Sequence, residues 1–265
     1  MKFRNAYREI ELYEPGRTPI EVDLSDNTNL FGVAPSARVL LDALPDATIT
    51  RYPTVFARPL KEALARRHQV DVENITTGCG SDDLIDSAVR AFCEPGDNVV
   101  YPAPTFGVLS TFARMNATEP VAVPMQPDFS FKEAELVAAD GALTYVCSPN
   151  NPTGSVVRGS QIAELDRSLP GVLLLDEAYA DYGDDDHARF AASSKRTVSL
   201  RTLSKVYGLA GLRVGYAIGP REVILEIEKS RGPYKVNGVA EAVAARVVSA
   251  DGAWVARVVA QTREN

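Results

Sequence analysis

Val172-Leu173-Leu174-Leu175-Asp176-Glu177-Ala178-Tyr179 is the stretch that decides the fold. Its apolar residues follow one another without alternation, as in a strand covered on both faces. A carboxylate at the tip of such a strand needs a cation or several donors, because a buried charge without partners is costly. The same rhythm recurs on either side. Asn74-Ile75-Thr76-Thr77, Asn98-Val99-Val100-Tyr101 and Leu143-Thr144-Tyr145-Val146-Cys147 precede it; Thr197-Val198-Ser199-Leu200 and Arg213-Val214-Gly215-Tyr216-Ala217-Ile218 follow. Helical spacing lies between, with Leu60, Ala63, Leu64 and Arg67 on one stripe and a helix expected over 84–92. Buried strands alternating with helices predict an α/β fold, a mostly parallel sheet with helices on both faces. Ligands in such sheets sit outside the carboxyl ends of the strands.

Composition narrows the function. The 265 residues are 45% hydrophobic and 24% charged, with a formal net charge of -7. That acidic balance argues against broad nucleic-acid binding, which needs a basic face. Cys79, Cys93 and Cys147 are odd in number and have no metal-ligand spacing, so a cytoplasmic protein with reduced thiols is expected. Only two histidines are present, His68 and His187, and neither stands in a triad or metal pattern, so no metal site is expected. No signal peptide and no membrane span are read. Asp184-Asp185-Asp186 reads as a solvated acidic loop.

The polar motifs expected at the strand ends share one chemistry. Lys205, in Thr202-Leu203-Ser204-Lys205, is an amine that can condense with an aldehyde once a low-dielectric site lowers its pKa. Asp176 can face a protonated pyridine nitrogen, which keeps an aromatic ring an electron sink. Asn151, in the rigid turn Asn150-Asn151-Pro152-Thr153-Gly154, and Tyr179 can both reach a ring hydroxyl. Gly78-Cys79-Gly80-Ser81-Asp82 precedes a helix whose N-terminus suits a phosphate. A dinucleotide fingerprint fails, because Asp83 stands where its last glycine belongs. Arg213 supplies a fork for phosphate, Thr202 and Ser204 add hydroxyls, and Phe106 can stack on a flat ring. Together these groups suit pyridoxal 5'-phosphate (PLP).

With those motifs, joined by Arg51-Tyr52-Pro53, Pro104-Thr105-Phe106 and the run from Gly208 through Arg213 to Gly215, the chain resembles fold-type-I PLP-dependent aminotransferases of the histidinol-phosphate aminotransferase kind. The resemblance runs from Tyr13-Glu14-Pro15-Gly16 to the end of the chain. It implies that Lys205 forms the imine and moves a proton, and that Asp176 holds the pyridinium. It implies that Asn151 and Tyr179 bond the ring hydroxyl and that Phe106 stacks on the ring. Gly80, Ser81, Asp82, Thr202, Ser204 and Arg213 would surround the phosphate. Tyr52 would reach the cofactor of a second subunit, giving a homodimer, and Tyr13 and Asn29 would lie near the substrate. Thr28 and Leu30 replace the Glu and Pro that the family usually carries there.

The expected organisation is an N-terminal arm over 1–32, a large PLP-binding domain over 33–235, and the start of an incomplete small domain over 236–265, as if the chain were truncated. Val243, Ala244, Val247 and Val248 form one helical stripe; Trp254, Val255, Val258 and Val259 form a second, with no later segment to cover it. The expected activity is transamination between an amino acid or amino-alcohol phosphate and a 2-oxo acid, in amino-acid (histidine) biosynthesis. The alternatives are a PLP-dependent amino-acid-phosphate decarboxylase and a non-catalytic PLP-binding remnant or sensor.

Overall fold

The computed structural model describes residues 1–8, 10–12, 21 and 26–265. Its strands are β1 (Ile75–Cys79), β2 (Asn98–Ala103), β3 (Glu119–Pro124), β4 (Leu143–Cys147), β5 (Val172–Asp176), β6 (Thr197–Thr202) and β7 (Val214–Ile218). They form one seven-stranded sheet in the order β1-β7-β6-β5-β4-β2-β3. The pairs from β6 through β5, β4 and β2 to β3 are parallel, whereas β7 is antiparallel to both β1 and β6. The apolar strands β4, β5 and β6 are buried along almost their whole length, as unbroken apolar runs require.

Two expectations change here. Arg213 does not follow a strand; it precedes β7. Because β7 runs backwards, its first residue arrives at the edge where β1, β5 and β6 finish, so the arginine still reaches that edge. Strand β3 was not foreseen. Its sequence Glu119-Pro120-Val121-Ala122-Val123-Pro124 carries two prolines, tolerable because it pairs on one side only.

Helices α1 (Pro35–Asp42), α2 (Ala47–Thr50), α3 (Arg58–His68), α4 (Gly80–Phe92), α5 (Val108–Met115), α6 (Glu133–Ala138), α7 (Gly159–Ser168), α8 (Ala188–Ser193), α9 (Arg221–Lys229), α10 (Gly238–Ala250) and α11 (Gly252–Glu264) complete the fold. Leu84, Ile85, Leu109 and Ile224 of α4, α5 and α9 share a core with Tyr145, Leu174 and Leu200 on one sheet face. Val146, Leu173 and Leu175 face the other way, into a core with Ile162 and Leu165 of α7. The α4 helix starts at Gly80, four residues before the expected start, because the glycine turn runs straight into it.

The C-terminal stripes are both covered. Val243, Ala244 and Val247 of α10 lie in one buried cluster with Leu60 and Leu64 of α3. Trp254, Val255 and Val258 of α11 belong to the same cluster, together with Leu203, Val206 and Tyr207. The second stripe therefore does have a partner surface, the turn around Lys205 included.

Candidate active site

The strand tips gather the polar motifs. At the end of β1, Gly80 takes a positive φ of 82°, a conformation that costs glycine little. Its missing side chain matters too: a Cβ there would lie 2.5 Å from Nη2 of Arg213. Next to it, a Cβ on Gly215 of β7 would fall 2.4 Å from the Gly80 carbonyl carbon and the Ser81 nitrogen. Backbone is thus packed on backbone where α4 begins, and the Arg213 guanidinium approaches Gly80 through Nη2. Arg213 Nη2 bonds Asp82 Oδ2 at 3.0 Å, and Asp83 accepts from the Cys79 amide at 3.0 Å. Ser81 and Asp82 occupy the first turn of this helix, the end that favours anions.

Asp176 ends β5 and is 4% exposed. Its Oδ2 accepts from the Tyr145 hydroxyl at 2.7 Å and its Oδ1 from the Ala178 amide at 2.9 Å. Burial pushes its pKa up to about 6, against the pull of those two donors. A cation facing it would favour the ionised form. Tyr145 was not singled out from sequence. The signal was there: a hydroxyl in an unbroken buried strand must find a partner. The parallel register of Tyr145 beside Leu174 puts it on the face from which Asp176 projects.

Lys205 is half-buried. Its Nζ donates to the Asp26 carbonyl at 3.1 Å and lies 5.5 Å from the Tyr179 ring centroid. Burial lowers its pKa and Arg213 lowers it further, while Asp26, Asp82 and Asp176 oppose the fall. Thr202 and Ser204 are buried beside it, the Thr202 hydroxyl accepting from the Ser204 amide at 3.1 Å. Tyr179 accepts from Asn27 Nδ2 at 3.0 Å, a contact the sequence did not disclose. Asn29 is tied to the lysine turn: its Nδ2 donates to the Val206 carbonyl at 2.8 Å and its Oδ1 accepts from the Phe31 amide at 2.8 Å. Tyr13 lies outside the described residues.

Asn150, not Asn151, supports the rigid turn. Its Nδ2 donates to the Pro104 carbonyl at 3.0 Å, and its Oδ1 accepts from Thr105 at 2.7 Å. This joins the Asn151 loop to the Phe106 loop. The Asn151 side chain has no such bond among the described residues and borders a cleft of about 970 Å³. Tyr179, Asn27, Asn29, Leu30, Phe31 and Val156 also border it. Phe106 is half-buried against the core of α4 and α5. Tyr52 stands apart: it is 84% exposed and stacks on Tyr234 with ring centroids 4.9 Å apart.

Behind the strand tips lies a cluster the sequence did not disclose. Glu177 is buried and paired with Arg201 at 2.9 Å and with His187 Nδ1 at 3.0 Å. Asp186, read as part of a solvated loop, binds Arg201 at 2.7 Å. The triplet is solvated as expected, all three aspartates being exposed, but one of its carboxylates also turns to the buried guanidinium. Among the described residues no group of three or more His, Cys, Asp and Glu could hold a metal. No helix is long and apolar enough to cross a membrane.

The residues fit PLP. A buried carboxylate with a raised pKa suits a ring cation, a lysine with a lowered pKa suits an aldehyde, and the Gly80–Arg213 cradle suits a phosphate.

Comparison with known proteins agrees. Residues 19–264 match the aminotransferase class I and II family. The chain is 33% identical over 251 residues to histidinol-phosphate aminotransferase 1 of Trichormus variabilis, covering 93% of this chain and 72% of that one. It is 37% identical over 255 residues to an aromatic amino acid aminotransferase of Corynebacterium glutamicum, covering 91% and 74%. The structure of histidinol-phosphate aminotransferase from Sinorhizobium meliloti in complex with PLP superposes with a TM-score of 0.84 at 27% identity, over 90% of this chain and 67% of that one. This chain belongs to the class I and II aminotransferases, with the type I fold and PLP as cofactor. An amino donor and a 2-oxo acid are its two substrate classes.

Proposed function

We propose that this aminotransferase takes its amino group from an amino acid or amino-alcohol phosphate of the histidinol-phosphate type and passes it to a 2-oxo acid, working as a homodimer. The observation that carries the chemistry is Asp176, a fully buried carboxylate clamped by Tyr145 and Ala178 on the sheet edge that also bears Lys205. Bound PLP supplies an electron sink that stabilises the carbanion formed at the substrate Cα. The chain's residues do the rest. Asp176 holds the ring nitrogen in its charged form. Lys205, its pKa lowered by burial, would take the proton from the substrate Cα onto Nζ and, in the return half of the exchange, deliver one to the Cα of the 2-oxo acid. Asn151 and Tyr179 would orient the ring oxygen, Phe106 would stack on the ring, and Gly80, Ser81, Asp82, Thr202, Ser204 and Arg213 would anchor the phosphate. Asn29, held on the turn after Lys205, borders the same cleft as Asn151 and Tyr179.

The homodimer is supported by Tyr52. A tyrosine 84% exposed beside a second ring suits a group that completes a neighbouring subunit's phosphate site.

A second donor class has its own support. Leu30, Phe31 and Val156 give the cleft an apolar wall, which suits an aromatic amino acid. Incubation with 2-oxoglutarate and either histidinol phosphate or phenylalanine separates the two. The proposal expects glutamate formation with the phosphate ester at a kcat/KM well above that with phenylalanine. The reverse order overturns the donor assignment, and carbon dioxide release in place of glutamate overturns transamination.

A further inference from the structure

We infer that the ion-paired cluster of buried Glu177, Arg201, Ser199 and His187, joined by the exposed Asp186, is a positioning device that sets where Asp176 stands relative to the turn bearing Lys205, with Arg201 at its centre. The inference rests on the assignment of Asp176 and Lys205 to the cofactor.

Strand alternation gives the placement. In the parallel pair β5–β6, Leu175 stands opposite Ser199 and Asp176 opposite Leu200. Asp176 and Thr202 therefore project to one face, while Glu177 and Arg201, their immediate chain neighbours, project to the other. Asp176 and Thr202 each have a cluster member bonded to them through one peptide unit. The last backbone bond here runs from the Glu177 amide to the Leu200 carbonyl at 2.8 Å. Beyond it the two chains part, and side chains take over.

The bonds are directional, and Arg201 makes them through Nε and Nη2. Arg201 donates to Glu177 Oε2 at 2.9 Å, to Asp186 Oδ1 at 2.7 Å and, through Nε, to Ser199 Oγ at 3.1 Å. Glu177 also accepts from the Ser199 hydroxyl and, through Oε1, from His187. These contacts close the loop 177–187 at both ends, and Tyr179 lies inside that loop. One cluster thus constrains Asp176, Tyr179 and the Thr202–Lys205 turn together.

Stability alone does not account for it. The side chains of Arg201 and Glu177 are 3% and 1% exposed. Taking such a pair out of water costs several kcal/mol per ion, and apolar residues of similar volume often leave stability unchanged or raised. A fixed geometry is what the charged version adds.

The test uses the full chain depleted of cofactor, titrated with PLP. Two variants are compared with the parent: Arg201→Lys, which keeps the charge and loses the fork, and the double substitution Glu177→Met with Arg201→Met, which removes both charges. The double variant is expected to melt close to the parent yet bind PLP about tenfold or more weakly, with its visible absorbance band displaced. Outer-shell residues around bound metals have effects of about that size. Arg201→Lys should fall between the two. If the double variant does not fold, Arg201→Lys decides alone. Parent-like affinity and spectrum in a folded variant overturn the inference and leave the cofactor assignment intact. Failure of the parent to bind PLP sinks the assignment, and the inference with it.

Discussion

Asp176 shows how far one residue's surroundings can be separated from its identity. Its folded pKa lies near 6 because burial outweighs the hydrogen bonds from Tyr145 and Ala178. In the unfolded chain it returns to the ordinary carboxylate value of about 3.9. The group therefore favours folding in its protonated form. That contribution is present below the unfolded value and is lost as pH rises through the folded one. The loss at neutral pH is on the order of 3 kcal/mol. Asp176→Asn has no charge to bury, so cofactor-free Asp176→Asn should gain on the parent in melting temperature as pH rises from about 4 to 7. In the presence of PLP the order should reverse, because Asn cannot oppose a ring cation. Melting curves across that pH range, with and without PLP, check both signs. The aspartate and the lysine were legible in the sequence, each standing beside an apolar run. Tyr145 and Asn27 were not, because they act through contacts 31 and 152 residues away.

At the scale of elements, the decisive contact is β7 against the start of α4. Gly215 admits the backbone of Gly80 and Ser81 so closely that an added Cβ would lie 2.4 Å from both. No flexible side chain can yield there; either the strand or the helix must move. Gly215→Ala is expected to cost about 1–3 kcal/mol in urea unfolding and to weaken PLP binding, since the shifted atoms frame the phosphate cradle. Gly211→Ala is the matching control. Its Cβ meets nothing within 4 Å, so its stability should stay within about 0.5 kcal/mol of the parent. Most strands were legible from unbroken apolar runs. Strand β3 was hidden by its prolines, and the start of α4 by the glycine turn leading into it. The backward direction of β7 could not be read at all, since an apolar run carries no sign of which way it points.

For the whole molecule, the proposed homodimer makes a prediction that no single chain can satisfy. If Tyr52 serves the neighbouring subunit, Lys205→Ala and Tyr52→Ala chains are each impaired alone. After they are mixed, unfolded and refolded, half of the dimers carry one intact site. Activity should then return to about a quarter of the parent's. Mixtures that stay at the level of the separate variants would place Tyr52 in its own subunit's business or in none. The covered α11 stripe belongs at this scale too. Trp254, Val255 and Val258 share one buried cluster with Leu203, Val206 and Tyr207, and a Cβ on Gly208 would lie 3.5 Å from the Trp254 ring, so the C-terminal helix lies against the segment that follows Lys205. By itself the sequence determined the layered α/β fold, the lysine, the carboxylate and the phosphate turn, because each is written in residues next to one another along the chain. Only the tertiary structure decided which face each strand tip presents, that Arg213 reaches the site on a reversed strand, and that Glu177, Arg201 and Asp186 neutralise one another. Those facts depend on register and strand direction, which are fixed when separate segments bury their surfaces together.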